Sequence, residues 1–219
     1  MPKLRILVAD DHRVVAEGLS SILSRSFDVI GTVHNGHALI AETINRKPDV
    51  VVSDIFMTDL NGIDALRQLR KQGTHARFIF LTMEATADLA TEAFRAGASG
   101  FVSKQDAGEE LLEAIGHSME GRFYLTPSLR EHQIEIIMEA RASQAVANTP
   151  DLSSRQREVL QLLAEGKTVK EAAGILGISP RTAESHKYEM MRHLRIKTTA
   201  ELIRWALRLN LISSRSGQP

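Results

Sequence analysis

Cysteine is absent from the 219 residues, which removes disulfides, thiolate metal centres and a cysteine nucleophile from consideration. Only 6 prolines occur and no tract is of low complexity, so with 43% apolar and 25% charged residues the chain is neither disordered nor fibrous. Long apolar runs are missing too. After Lys3 and Arg5 the stretch Ile6, Leu7, Val8, Ala9 stops at Asp10 and Asp11, far short of a signal-peptide core or the roughly 20 apolar residues of a membrane span. A cytoplasmic protein with no membrane partner is expected, large enough for one big domain or two small ones.

Net charge is also absent, yet its distribution is uneven. Residues 151–219 carry 12 Lys and Arg against 7 Asp and Glu, a net of +5, and residues 1–150 hold 15 against 20, a net of −5. The acidic part suits a divalent cation, and the basic part suits a polyanion such as nucleic acid.

The first 120 residues alternate short runs rich in Val and Ile with longer amphipathic stretches, the pattern of a doubly wound α/β fold. Strands are expected at 4–9, 29–33, 50–53, 78–82 and 100–102, giving a five-stranded parallel sheet. Runs such as Val50-Val51-Val52 and Phe78-Ile79-Phe80-Leu81 are apolar throughout, as they must be when helices cover both faces. From 121 to 150 the spacing predicts a linker with one helix around 128–141.

Residues 151–212 read as a small all-α domain, and 213–219 as a flexible tail. Ser153 with Gln156 and Thr168 with Glu171 have capping-box spacing, and Ser179 precedes a proline suited to a first helical turn. Gly166 and Gly177 fall where helices should stop. Helices are expected near 154–165, 169–176, 180–193 and 199–210.

Five chemically apt residues fall at carboxyl ends of the expected strands, where ligands of such folds bind. Asp10 and Asp11 follow the first strand, Asp54 the third, Thr82 ends the fourth and Lys104 lies beyond the fifth. Three carboxylates suit one Mg²⁺, a hard cation with oxygen ligands. With Lys104 and Thr82 opposite, a phosphoryl group on Asp54 would have its oxygens neutralised or hydrogen-bonded.

The motifs LVADDH, VVSDIFMTDLNG, FLTM and GFVSK resemble the receiver domain of bacterial two-component response regulators, a flavodoxin-like fold. The resemblance implies that Asp54 accepts a phosphoryl group from a sensor histidine kinase, that Asp10 and Asp11 hold Mg²⁺ with it, and that Thr82 and Lys104 bind the phosphoryl oxygens. Phe101 matches the family's aromatic switch position. Thr58 stands where the family often has proline, and Met83 where a small residue is usual.

A helical wheel of SPRTAESHKYEMMRHL places Ala183, Met190 and Leu194 inward, with His186 at the edge. The opposite arc collects Arg181, Glu184, Ser185, Tyr188, Arg192 and Arg195, the format of a helix that enters the major groove. Residues 151–212 resemble the LuxR-type helix-turn-helix domain of NarL/FixJ response regulators. That resemblance implies base contacts from Glu184, Ser185 and Tyr188, and phosphate contacts from Lys170, Thr182, Lys187 and Arg192. Gln156 replaces the usual glutamate of the first helix. In the last helix Ile203, Leu207 and Leu211 form one apolar stripe and Leu202, Ala206 and Leu209 another, one for the core and the other for a dimer face.

The expected function is transcription regulation by a homodimer on a promoter inverted repeat, with RNA polymerase a further candidate partner. Two alternatives use the same residues. A phosphate-independent receiver would keep the DNA-binding half. An aspartate-nucleophile phosphohydrolase would need an acid two residues after Asp54, where Phe56 stands.

Overall fold

The unbroken apolar runs become strands whose alternate side chains feed two separate layers of helix. The computed structural model describes residues 3–132, residue 136 and residues 152–213. They fall into an N-terminal and a C-terminal unit.

In the N-terminal unit β1 (Arg5–Ala9), β2 (Asp28–Val33), β3 (Val50–Asp54), β4 (Arg77–Thr82), β5 (Gly100–Ser103) and β6 (Tyr124–Leu125) pair in parallel in the order β2-β1-β3-β4-β5-β6. Leu7, Val51, Phe78, Phe80 and Phe101 point to one face, where Leu39, Leu66, Leu69 and Ala93 from α2 (Gly36–Arg46), α3 (Gly62–Lys71) and α4 (Ala87–Arg95) cover them. Ile6, Val8, Val52, Ile79 and Val102 point to the other, covered by Leu19 and Leu23 of α1 (Arg13–Leu23) and Leu111 and Ile115 of α5 (Ala107–Met119). The doubly wound parallel architecture is therefore as expected, and a sixth strand extends it.

That sixth strand moves a boundary. Residues 121–132 were expected to begin a linker, but Tyr124 and Leu125 are buried and pair with Gly100 and Phe101. Residues Pro127–His132 form 3-10 turns rather than the start of a regular helix. Apart from residue 136, the rest of the helix expected to 141, the linker to 150 and the tail after 213 lie outside the described residues.

The C-terminal unit comprises α6 (Ser154–Ala164), α7 (Val169–Ile175), α8 (Pro180–His193) and α9 (Thr199–Arg208). Ser153 and Thr168 form the two expected capping boxes, and Ser179 Oγ accepts the Thr182 N–H at 3.1 Å. A third box, Thr198 with Glu201, starts α9. Each such cap contributes about 1 kcal/mol. Gly166 and Gly177 have φ of 86° and 63°, the left-handed conformation that ends α6 and α7. Val159, Leu160, Leu162, Ala172, Met190, Leu202 and Ala206 close the core.

Candidate functional site

The site in the N-terminal unit lies where the strand order reverses, between β1 and β3, at the carboxyl edge of the sheet. Asp54 is the last residue of β3, and the chain must turn immediately after it. Asp59 adopts φ of 69°, Asn61 Oδ1 caps α3 by accepting the Asp64 N–H at 2.8 Å, and Gly62 N–H donates to the Ile55 carbonyl. A Cβ on Gly62 would lie 2.4 Å from the Asp54 carbonyl oxygen, so only glycine lets α3 start this close to the strand.

Asp10, Asp54 and Lys104 meet directly. Lys104 Nζ donates to Asp54 Oδ2 at 2.6 Å and stands 2.7 Å from Asp10 Oδ2. The Ile55 N–H donates to Asp54 Oδ1 at 2.7 Å, and that of Phe56 at 3.4 Å. Burial would lower the Lys104 pKa, but Asp54 and Asp10 outweigh it and hold the ammonium charged. For Asp54 burial wins over the lysine and pushes the carboxyl up to about 6, with Asp10 adding repulsion. Asp11 and His12 complete the group: one ligand atom each from Asp10, Asp11, His12 and Asp54 lies within 4.8 Å of the others. With all three ionised, three carboxylates against one ammonium leave two negative charges unbalanced, and these oxygens are the donors that Mg²⁺ takes. The residues fit the ion.

Thr82 and Phe101 stand differently. Thr82 is fully buried and its Oγ1 accepts the Glu84 N–H at 3.1 Å, so its hydroxyl secures the turn after β4 instead of reaching the acidic group. Phe101 pairs with Phe80 in register and is fully buried. Met83 is 48% exposed beside Thr82, and Thr58 is exposed in the loop after Asp54. The sequence reading passed over His12, over His34, whose Nδ1 donates to the Asp10 carbonyl at 2.9 Å, and over the backbone donors of Ile55 and Phe56. The DDH triplet carried a signal for the first. Backbone donors carry none.

A carboxyl whose pKa is raised by folding binds its proton more tightly in the native state. Stability is then greatest below the unfolded value of 3.8 and is lost as pH rises through about 6. Asp54→Asn should remove that loss, stabilising the N-terminal unit in EDTA by about 2–3 kcal/mol at pH ~7 and by little at pH ~4. Urea unfolding followed by circular dichroism checks this, with Trp205, the only tryptophan, reporting on the other unit. An equal gain at both pH values would contradict the burial argument.

In the C-terminal unit α7 and α8 form the two helices of a helix-turn-helix, joined by residues 176–179. Ala183, Met190 and Leu194 are buried, which leaves the other face of α8 outward. Arg181, Thr182, Ser185, Tyr188 and Arg192 are exposed, Glu184 and Lys187 half-buried, and Lys170 is exposed on α7. Lys187 Nζ lies 3.4 Å from Glu184 Oε1 and 5.6 Å from the Tyr188 ring centre. Arg195 leaves the expected face, because α8 ends at His193 and Arg195 adopts φ of 55°. Gln156 links two helices: its Oε1 accepts the Ser153 N–H, and its Nε2 donates to the Glu189 carboxylate on α8 at 3.3 Å.

One expected stripe of the last helix does not form. Helix α9 ends at Arg208, and the following turn carries Leu211 into the core with Leu202, Ala206 and Leu209. Only Ile203 and Leu207, each 37% exposed, remain outside. No helix among the described residues is long and apolar enough to cross a membrane.

Comparison with known proteins agrees with both halves. Residues 6–116 match the response regulator receiver domain, and residues 150–206 match the bacterial regulatory proteins of the luxR family. The transcriptional regulatory protein MctR of Rhizobium johnstonii is 34% identical over 217 residues, 97% of each chain. The oxygen regulatory protein NreC of Staphylococcus aureus is 32% identical over 216 residues, covering 95% of this chain and 99% of its own. A solved structure of the Salmonella typhimurium response regulator RcsB superimposes with a TM-score of 0.62, at 24% identity, over 95% of this chain and 99% of that one, a likeness of fold.

Proposed function

The chain is a two-component response regulator of the LuxR family, a receiver domain followed by a helix-turn-helix DNA-binding domain, and from that premise we propose that a phosphoryl group on Asp54 governs its grip on promoter DNA. The observation that carries this reading is the Lys104 ammonium between the buried carboxylates of Asp10 and Asp54. A sensor histidine kinase supplies the group: an Asp54 oxygen forms the bond to phosphorus as the phosphorus–nitrogen bond of the donor histidine breaks, and the imidazole leaves with a proton. Asp10, Asp11 and Asp54 would hold Mg²⁺, whose charge would neutralise phosphoryl oxygens. Lys104 loses its hold on the carboxylate as Asp54 becomes an acyl phosphate and turns to the new oxygens. The Thr82 hydroxyl exchanges the Glu84 amide for the phosphoryl group, which moves the β4–α4 turn over the ring of Phe101 and biases a two-state surface.

The C-terminal unit reads DNA as a symmetric homodimer on an inverted repeat whose half-sites lie about one helical turn apart or a multiple of it. RNA polymerase is a further partner in this reading, and the compartment is the cytoplasm. Footprinting of genomic DNA with the purified protein, with and without acetyl phosphate and Mg²⁺, tests it: protected inverted repeats should strengthen on phosphorylation, and indifferent footprints would overturn it.

On α8, Arg181, Ser185 and Tyr188 flank Glu184, whose carboxylate is repelled by DNA phosphates unless a base donates to it. Cytosine N4 is the natural donor, so Glu184→Ala should relax preference at one C·G pair by about 1–3 kcal/mol. Lys170, Thr182, Lys187 and Arg192 contact phosphates in this reading. Lys170→Ala should therefore weaken binding to every duplex and reduce the salt slope by about one. Competition with permuted operators across a salt series separates the two behaviours, and a uniform gain from Glu184→Ala would show that the acid only repels.

Met83 makes the phosphoryl state long-lived by crowding the approach of water. Met83→Ala should shorten the lifetime of phospho-Asp54 several-fold, measured by intact-mass decay; an unchanged lifetime would remove the cause.

A further inference from the structure

His12 closes the two-acid turn after β1 and folds back over it. Its backbone N–H donates to Asp10 Oδ1 at 2.9 Å, and its ring Nδ1 lies 2.8 Å from Asp11 Oδ1 and 3.5 Å from Asp10 Oδ1. The imidazole therefore faces the carboxylates although its side chain is 72% exposed. One of its ring nitrogens shares the 4.8 Å span with one oxygen each of Asp10, Asp11 and Asp54, and Nδ1 is the one turned to the carboxylates. His34, the neighbouring imidazole, is committed elsewhere through its Nδ1, which donates to the Asp10 carbonyl.

A nitrogen in this position does nothing for Mg²⁺, which takes oxygen donors and retains its waters. Imidazole suits cobalt, nickel, copper and zinc, and sites of mixed nitrogen and oxygen bind first-row divalent ions with affinity rising from manganese to copper. We infer that His12 Nδ1 is a fourth ligand of the acidic pocket, so that the pocket takes first-row transition ions such as Co²⁺ in preference to Mg²⁺. The inference rests on the reading of Asp10, Asp11 and Asp54 as a cation site. It assigns to His12 a stronger preference for these ions than three carboxylates alone give. At 2.8 Å from a carboxylate oxygen Nδ1 is the donor, so ligation requires the tautomer with Nδ1 unprotonated and exchanges the Asp11 hydrogen bond for the metal.

The test is calorimetric titration of the full chain with Co²⁺ and with Mg²⁺, together with the paramagnetically shifted imidazole resonances of the Co²⁺ form. His12→Ala should lower Co²⁺ affinity about tenfold or more, change Mg²⁺ affinity less than about twofold, and abolish shifted histidine resonances at this site. Unchanged Co²⁺ affinity, an equal loss for both ions, or shifted resonances that survive the substitution would overturn the inference. Failure of the underlying reading looks different: both ions would then bind undiminished to Asp11→Ala and Asp54→Asn proteins, which would overturn the acidic cation site and the role of His12 together.

Discussion

Asp54→Asn is expected to take up no phosphoryl group from acetyl phosphate and Mg²⁺, and to bind its operator with one affinity whether or not the donor is present. The amide preserves the shape of the side chain and the acceptor for the Ile55 N–H, but it removes the anionic oxygen that attacks phosphorus. Lys104 keeps Asp10 as its partner, so the variant stays folded. Neighbouring acids do not substitute. Asp10 is fully buried against the lysine, and Asp11, in the turn after β1, is paired with His12. Intact-mass spectrometry gives the answer, and a full-occupancy adduct on the variant would place the phosphoacceptor elsewhere.

Lys104→Met should produce the largest loss of stability. In wild type the ammonium is the counter-ion of two carboxylates, with side-chain exposures of 10% for Lys104, 0% for Asp10 and 7% for Asp54. Removing one partner of a buried ion pair leaves uncompensated charge, at a cost of about 3 kcal/mol or more. The deficit should be largest in EDTA near neutral pH, shrink on acidification as the Asp54 carboxyl takes up its proton, and be partly recovered by saturating Mg²⁺ through binding linkage. Urea unfolding of wild type and variant under the three conditions tests all parts of this. An unchanged midpoint in EDTA would mean that the lysine is not the counter-ion the geometry implies.

Both expectations rest on residues that the sequence already brought into view. Asp10, Asp54 and Lys104 were legible because the apolar runs before them mark strands, and a parallel sheet gathers its carboxyl ends on one edge. Met190 and Ala183 were legible for the analogous reason in a helix, where period alone separates an inner from an outer face. Failures came where a helix stops or a turn intervenes. Arg195 and Leu211 continue the wheel on paper, but the left-handed residues Arg195 and Asn210 take the chain off the helical path. Tyr124 and Leu125 are too short a run to announce a strand, and their burial depends on an edge of β5 far away in sequence. The hydroxyl of Thr82 is a matter of which acceptor or donor lies nearest, and the Glu84 amide is supplied by backbone. His12 was hidden by its neighbours, since two adjacent acids attract the eye before the imidazole that follows them.

The most direct test of the account is the affinity of the full-length protein for a footprinted operator duplex, titrated by fluorescence anisotropy while mass spectrometry reports the occupancy of Asp54 in the same sample. The dissociation constant should fall with occupancy, by about tenfold as expected for coupling between two sites, and should stay fixed on a scrambled duplex. Equal affinity for the operator at zero and at full occupancy would contradict control of DNA binding by the carboxylate at the end of the third strand.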